Sequence, residues 1–528
     1  MLDRPMLNRH CRMLVWLFAA ALWLTLPPRE ARSESLPDRT GRQWAPFVEW
    51  SLPNATFDGN PFDLRASVLF THEASGAKRK TEMFYAGASV WKFRFAGTLP
   101  GRWTLTTSSD DADLHGRSGV VTIAPDENTS GFVSHIDNKW ARPRGAAGKL
   151  KAFAPQFVMY GHPASIYKRV DRIDADIETF IRGHGFTGFH VPVFCRWFDI
   201  ESDRSSAIRS MDPNPDDRTF VALEALITKT HAAGGVVHFW AWGDESRRQT
   251  PAKWGINGKV DRRLQRYIAA RLGPLPGWTM GYGFDLDEWV NEKQLARWRD
   301  YMHAHMGWNH MLGGRHGDPN RGLDHSRAVS WNRPLDYSSY EHHRPTYKVY
   351  RASLEAVPGQ PVLSEDRFRI RKSRQYRNKD YTEEMTRRGL WHATMAGGVA
   401  NIWGRLDGDL AINMGDGSSL QYEHPQWIRT WADFFEHRFH ADLQPAARLS
   451  NGLCLRRGDS DQFIFYRDDT DSIRMNLTSM SAAQPAVAID TKRKHQPIRL
   501  GRLPPKEQNW TAPHKSDWAI AVGDTNIK

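Results

Sequence analysis

The chain has 528 residues, 40% of them hydrophobic, and its 22 Trp, 25 Phe and 14 Tyr are spread from end to end, which excludes a disordered chain and allows several globular domains. A formal net charge of +12 is not gathered into one run or onto one helix, so a nucleic-acid partner is not expected. Three Cys exclude a disulfide framework, and Cys195 and Cys454, far apart in sequence, read as buried thiols.

Residues 1–33 open with scattered Arg, continue through the apolar run Met13–Leu26 and end in Ala31-Arg32-Ser33. That run is about 14 residues, short of the roughly 20 a membrane-spanning helix needs. The segment is expected to be a signal peptide cleaved near Ser33, giving a periplasmic or extracellular protein with no stable membrane span.

Between residues 41 and 126, Leu64–Phe70, Met83–Tyr85, Trp91–Phe95 and Trp103–Thr107 alternate apolar and polar positions between Gly and Pro turns, which predicts a small β-sandwich. A polar connection over 137–149 follows. From 145 to 442 the pattern becomes strand then amphipathic helix. Strands are predicted at Phe157–Tyr160, Gly188–Phe194, Val236–Trp242, the stretch from Gly281, Met311–Gly313, Leu335–Tyr337, Pro361–Glu365 and Gly398–Trp403. Helices are predicted at Asp176–Arg182, after the capping run Asp212–Asp216 and over Asn291–Trp298. Eight such units predict a (β/α)8 TIM barrel, an α/β fold. From 443 to 528, Cys454–Arg456, Gln462–Tyr466, Ile473–Leu477 and Trp518–Val522 read as strands of a second small all-β sandwich.

Active sites of such barrels lie at the C-terminal ends of the strands, so acids there are catalytic candidates. Asp285, Asp287 and Glu288 fall in the aromatic stretch Gly281–Val290, where burying an unpaired carboxylate costs several kcal/mol, so a strand mouth is expected. A second acidic strand end is Ser364-Glu365-Asp366-Arg367-Phe368-Arg369. The 77 residues from Glu288 to Glu365 are about two and a half βα units, which places the two sites on the fourth and seventh strands, facing across the mouth.

A facing pair of carboxylates is what glycoside hydrolysis requires, one protonated to donate to the leaving oxygen and one ionised to attack. Phe284 and Trp289 are expected to raise the pKa of Glu288, making it the acid/base, and Arg367 and Arg369 to keep Glu365 ionised as nucleophile. Strand alternation puts Asp285 and Asp287 on one face and Glu288 on the other, so Asp287 remains the alternative acid. Asp285, Arg196, Trp197, Trp240, Trp242, Tyr337, Tyr340, Arg367 and Trp403, at or near strand ends, are the candidate substrate-binding residues. Aromatic faces suit sugar rings, and Arg suits carboxylate or sulfate groups on an anionic polysaccharide. His316-Gly317-Asp318, Asp324-His325 and His342-His343 match no established zinc spacing, so no metal is expected.

The order of Glu288 after the fourth strand and Glu365 after the seventh resembles clan A of the glycoside hydrolases, retaining (β/α)8 enzymes in which an Asn usually precedes the acid/base. Asp287 stands in that place here. More closely, Trp91-Lys-Phe-Arg-Phe95 with Gly101-Arg-Trp-Thr-Leu105 resembles the N-terminal sandwich of bacterial apiosidase-like hydrolases. Asp490-Thr-Lys492 with Pro513 and Asp517-Trp518 resembles their C-terminal one. The resemblance implies an exported retaining hydrolase of a plant or algal poly- or oligosaccharide that uses no cofactor. The alternative, which Asp287 favours, is a non-catalytic carbohydrate-binding or scaffold protein on a degenerate barrel.

Overall fold

In the computed structural model the described residues are 35–523, without 203–206, 244–250, 317–328, 343–344, 370–381, 405–422 and 459, and without the side chains of 366–369 and 404. The expected signal peptide, Asp318, Asp324, His325, His343 and the side chains of Arg367 and Arg369 therefore lie outside the described residues.

The central sheet is a parallel barrel with the predicted α/β fold. Its strands are Gln156–Met159, Gly188–Pro192, Val236–Trp240, Trp278–Gly281, a divided fifth position, Ser338–Tyr340, Val362–Arg369 and Ala400–Gly404. The first strand pairs with the second and with the eighth, closing the ring. The fifth position is broken at Gly314: Leu312–Gly313 pairs with the fourth strand and Arg315–His316 with the sixth. The second and third strands are buried at every residue because helices cover the outside and side chains fill the inside. Their sequences accordingly lack polar alternation.

Local signals start the helices where they were expected. Asp216 accepts from the Arg218 backbone N–H to open Asp217–Ala232, and Asn291 with Gln294 forms a reciprocal capping box opening Glu292–Met306. Two strands are displaced most from expectation. The fourth stops at Gly281, and Asp285, Asp287 and Glu288 lie in the turn beyond it, where Asp287 and Glu288 are exposed to water. The sixth begins at Ser338, just past the predicted Leu335–Tyr337.

The expected polar connection instead contains an antiparallel meander, Ser134–Ile136, Lys139–Arg144 and Lys149–Ala152. It closes the barrel floor. Trp140 inserts beneath the strands, its indole N–H donating to the Val362 carbonyl at 3.2 Å and its ring 5.0 Å from that of Tyr337. It shares one core with Phe157, Met159, Trp240, Phe284 and Leu363.

Separate β-sheets flank the barrel. On the N-terminal side a five-stranded and a three-stranded sheet enclose Trp50, Phe70, Phe93 and Trp103. Arg94 ties that unit to the barrel, pairing with Glu49 and Glu224 at 2.8 Å each. On the C-terminal side one six-stranded antiparallel sheet wraps around Phe465, Ile473 and Trp518, its two long strands Phe463–Asn476 and Glu507–Val522 interrupted by irregularities. There Asp517 accepts from Arg387 and Arg388 of a barrel helix, with Arg388 Nε at 2.9 Å. Cys195 and Cys454 are both buried thiols outside any disulfide.

Candidate active site

Glu365 lies in the barrel mouth among aromatic and charged groups. It follows Val362-Leu363-Ser364 on the seventh strand and is fully buried, and its Oε2 accepts the Trp240 indole N–H at 2.6 Å. Gly281, at the end of the fourth strand, makes room for it. A Cβ there would stand 3.7 Å from Glu365 Oε1 and 3.3 Å from the Tyr337 hydroxyl. The carboxyl of the seventh strand thus reaches across to the fourth, the pair of strands named by the sequence.

Burial is the largest influence on Glu365 and raises its pKa to about 7, while Arg315 and hydrogen bonds from Trp240 and Ser339 oppose it and Glu341 reinforces it. The expectation that Arg367 and Arg369 hold the group ionised rests on side chains outside the described residues, and among the described ones the net shift is upward. The physical reason is that desolvation outweighs the attraction of the nearest cation.

Arg315 organises the acids around Glu365. It starts the second half of the broken fifth strand, and its side chain is 1% exposed. Nη2 donates to Asp285 Oδ1 at 2.8 Å and lies 3.1 Å from Glu341 Oε2, while Nη1 reaches the Glu365 carbonyl at 3.4 Å. Its guanidinium lies 4.8 Å over the Phe284 ring. Asp285 meets it from a left-handed conformation, φ 50°, which aims the residue back over the mouth. Glu341, one residue past the sixth strand, was not selected in the sequence. Its signal was present, since an acid directly after a barrel strand occupies the same structural position as Glu365.

Asp287 and Glu288 sit in the single turn that follows, both exposed, with Asp287 Oδ1 3.7 Å from His316 Nδ1. Phe284 is buried against Trp240, with ring centroids 4.8 Å apart. The structure thus brings Asp285, Arg315, Glu341, Trp240 and Glu365 together and leaves Glu288 and Asp287 on the rim.

The aromatic candidates divide. Trp240 belongs to the site. Trp197 and Trp403 are fully buried and outside it: their indoles donate to the Ala241 carbonyl and to Gln156 Oε1, so no ring face is free for a sugar. Trp403 lies on the eighth strand and Trp197 in the short 3-10 helix Phe194–Trp197 beyond the second, and both pack into the core between strands and helices. Trp242 is buried there as well, ring to ring with Phe198 at 6.2 Å. Arg196 and Tyr340 are buried, the latter within the same layer.

Tyr337 lies inside, in a hydrogen-bonded chain with two histidines. His190 Nδ1 meets His238 Nδ1 at 2.7 Å, and His238 Nε2 meets the Tyr337 hydroxyl at 2.8 Å. Burial pushes His238 down to about 3, so this imidazole is uncharged and holds Tyr337 and the floor beneath Glu365, 3.8 Å from Oε1. A cleft of about 870 Å³ lined by His135, Arg299, His303 and Asp336 opens at the opposite end of the barrel. That cleft lies away from the C-terminal strand ends, where barrel sites form.

Residues 40–110 match the model of a domain of unknown function, DUF5060. No curated protein matches the sequence. Among solved structures, the chain is similar to a protein from Bacteroides vulgatus ATCC 8482 assigned as a glycoside hydrolase, with TM-score 0.72 and 16% identity over 93% of this chain and 100% of that one. A further structure described as a glycoside hydrolase gives TM-score 0.53 at 12% identity, covering 76% of this chain and 98% of that one. A glycoside hydrolase family 5 protein from the same Bacteroides strain gives TM-score 0.52 at 13% identity, covering 71% and 90%. At these identities the likeness is one of fold, a (β/α)8 barrel accompanied by β-sheets.

Proposed function

We propose that the protein hydrolyses O-glycosidic bonds of a poly- or oligosaccharide, with Glu365 as one of two working carboxylates. The observation that carries this reading is the placement of Glu365: a carboxyl at the end of the seventh strand, held by Trp240 and reaching the end of the fourth beside an Arg-bound acid cluster. The shared fold with structures described as glycoside hydrolases supports it. No cofactor enters the reaction.

In a retaining sequence, Glu365 attacks the anomeric carbon while an acid from the turn after the fourth strand, Glu288 or Asp287, protonates the departing oxygen. Water then releases the sugar, giving its proton back to that acid. Asp285, engaged by Arg315, serves as a positioning group for substrate hydroxyls. Residues 1–33 support export.

A second reading exchanges the roles. A carboxyl whose pKa is raised to about 7 by burial is suited to donate a proton, so Glu365 would be the general acid. The pH dependence of kcat/KM separates the two: as nucleophile, Glu365 gives a rate that rises through about pH 7, and as acid, one that falls through it.

Reducing-sugar release from neutral, uronic and sulfated polysaccharides is the direct test. Release reduced roughly a thousandfold or more by Glu365→Gln supports the proposal. Sugar binding without release by the unaltered protein would instead support the carbohydrate-binding alternative.

A further inference from the structure

The barrel floor carries an arrangement of charge that folding alone does not explain. In the meander, Arg142 pairs directly across from Lys151 and Arg144 directly across from Lys149. Residues opposite one another in an antiparallel pair point to the same face, as do residues two apart, so all four cations share one side of the sheet. Like charges placed opposite destabilise a sheet.

These cations line two contiguous clefts of about 340 and 630 Å³ that share Arg144, Lys151, Ala152 and Phe439. The Arg142 guanidinium lies 4.6 Å over the Phe153 ring and donates to the Gly234 carbonyl at 3.0 Å. Burial, with Arg144 beside it, lowers Arg142 to about 10. Lys151 is lowered by burial, Arg144 and Arg142, and only Glu436 acts in the opposite direction. Other acids on the walls are engaged elsewhere: Asp442 accepts from Arg457 at 3.0 Å, and Glu127 accepts from the Ala146 N–H at 3.4 Å. Aromatic carbon from Trp431, Phe435 and Phe439 forms the other wall.

We infer that this cleft is a second binding site, remote from Glu365, for a sugar residue bearing a carboxylate or sulfate group. The oxyanion would lie between Arg142, Arg144 and Lys151 and relieve their repulsion, and the apolar C–H face of the ring would lie on Phe153 and Phe439. Concavity on this scale admits one or two sugar rings and does not fit a flat bilayer. The inference concerns binding alone and stands whether or not the barrel mouth hydrolyses.

The test is calorimetric titration of the full chain with trigalacturonic acid, a sulfated galactotriose and maltotriose in about 0.1 M salt. Anionic trisaccharides are expected to bind and the neutral one not, with affinity falling as salt rises. The double variant Arg144→Glu/Lys151→Glu is expected to weaken anionic binding at least tenfold. It is also expected to melt at or above the parent temperature, because opposite charges now face Arg142 and Lys149. The two anions separate a uronate from a sulfate ligand. Absence of binding by both, or binding that the double variant leaves unchanged while still folded, overturns the inference. Binding to anionic vesicles in place of the trisaccharides does so too. A failure of sugar release at the mouth would leave this measurement readable.

Discussion

Two carboxylates, one in the barrel mouth and one at the seam with the C-terminal sheet, are both fully buried, yet their environments drive them in opposite directions. Glu365 receives an indole N–H and the more distant influence of Arg315, and its pKa rises to about 7. Asp517 receives Arg387, Arg388 and the Asp469 backbone N–H at 2.7 Å, and its pKa falls well below the usual carboxylate range. Burial thus prevails at Glu365 and raises the group, whereas at Asp517 it is overcome and the group is held low. What decides is the number of donors touching the oxygens.

The largest effect expected from breaking this contrast is at the seam. Asp517→Asn leaves Arg387 buried without its counterion and should cost about 3–5 kcal/mol, read as a lowered denaturation midpoint. Because the pKa of Asp517 is depressed, its contribution is present above the unfolded value near 4 and is lost as pH falls below it. A loss below about 1 kcal/mol would mean that the sheet docks by apolar packing alone.

The mouth shows the opposite sign. A raised folded pKa means that the native state binds more protons than the unfolded chain between 4.5 and about 7, so the stability contributed by Glu365 falls as pH rises through that window. Glu365→Gln removes this cost. The variant should gain up to about 3 kcal/mol relative to the parent between pH 4 and pH 8, measured by chemical denaturation at both pH values. A gain that does not change with pH would show Glu365 to be ionised at neutral pH.

Arg315→Met sharpens the comparison further, since Arg315 is the chief group lowering Glu365. Its loss should move the Glu365 limb of the pH–rate profile upward by about one pH unit, about 1.4 kcal/mol. A stationary limb would assign that titration to another group. The smallest effect is expected from Gly281→Ala, whose methyl would sit a tight 3.2 Å from Trp240 Cδ1, on the ring whose N–H donates to Glu365. A fall in kcat/KM with a change in stability near 1 kcal/mol is the expected outcome, and unchanged kinetics would show that the mouth has slack there.

Much of this was legible before the structure because barrel strands announce themselves chemically. Val236–Trp240 and Val362–Glu365 are apolar runs bounded by turns, and an acid at the end of one was enough to select Glu365. Orientation was less legible. Trp403 lies on a barrel strand as Trp240 does but packs into the helix layer, and Trp197 stands in a short helical turn beyond the second strand, where alternation no longer applies. Burial was also invisible, so the sign of the Glu365 shift was read from sequence neighbours when the cation that acts on it, Arg315, comes from another strand. Glu341 was passed over because the sixth strand, expected at Leu335–Tyr337, ends at Tyr340, so the acid that directly follows it stood four residues past the expected end.

Trp140 gives the barrel a dependence that strand counting conceals. The indole sealing the lower ends of the strands comes from a segment upstream of the first of them, so that plug is synthesised before the wall it closes. A fragment beginning at residue 145 would carry all eight barrel positions and still have an open bottom. The barrel of this protein is therefore not a portable module at its strand boundaries. Any transplant, truncation or circular rearrangement has to move the meander with the barrel.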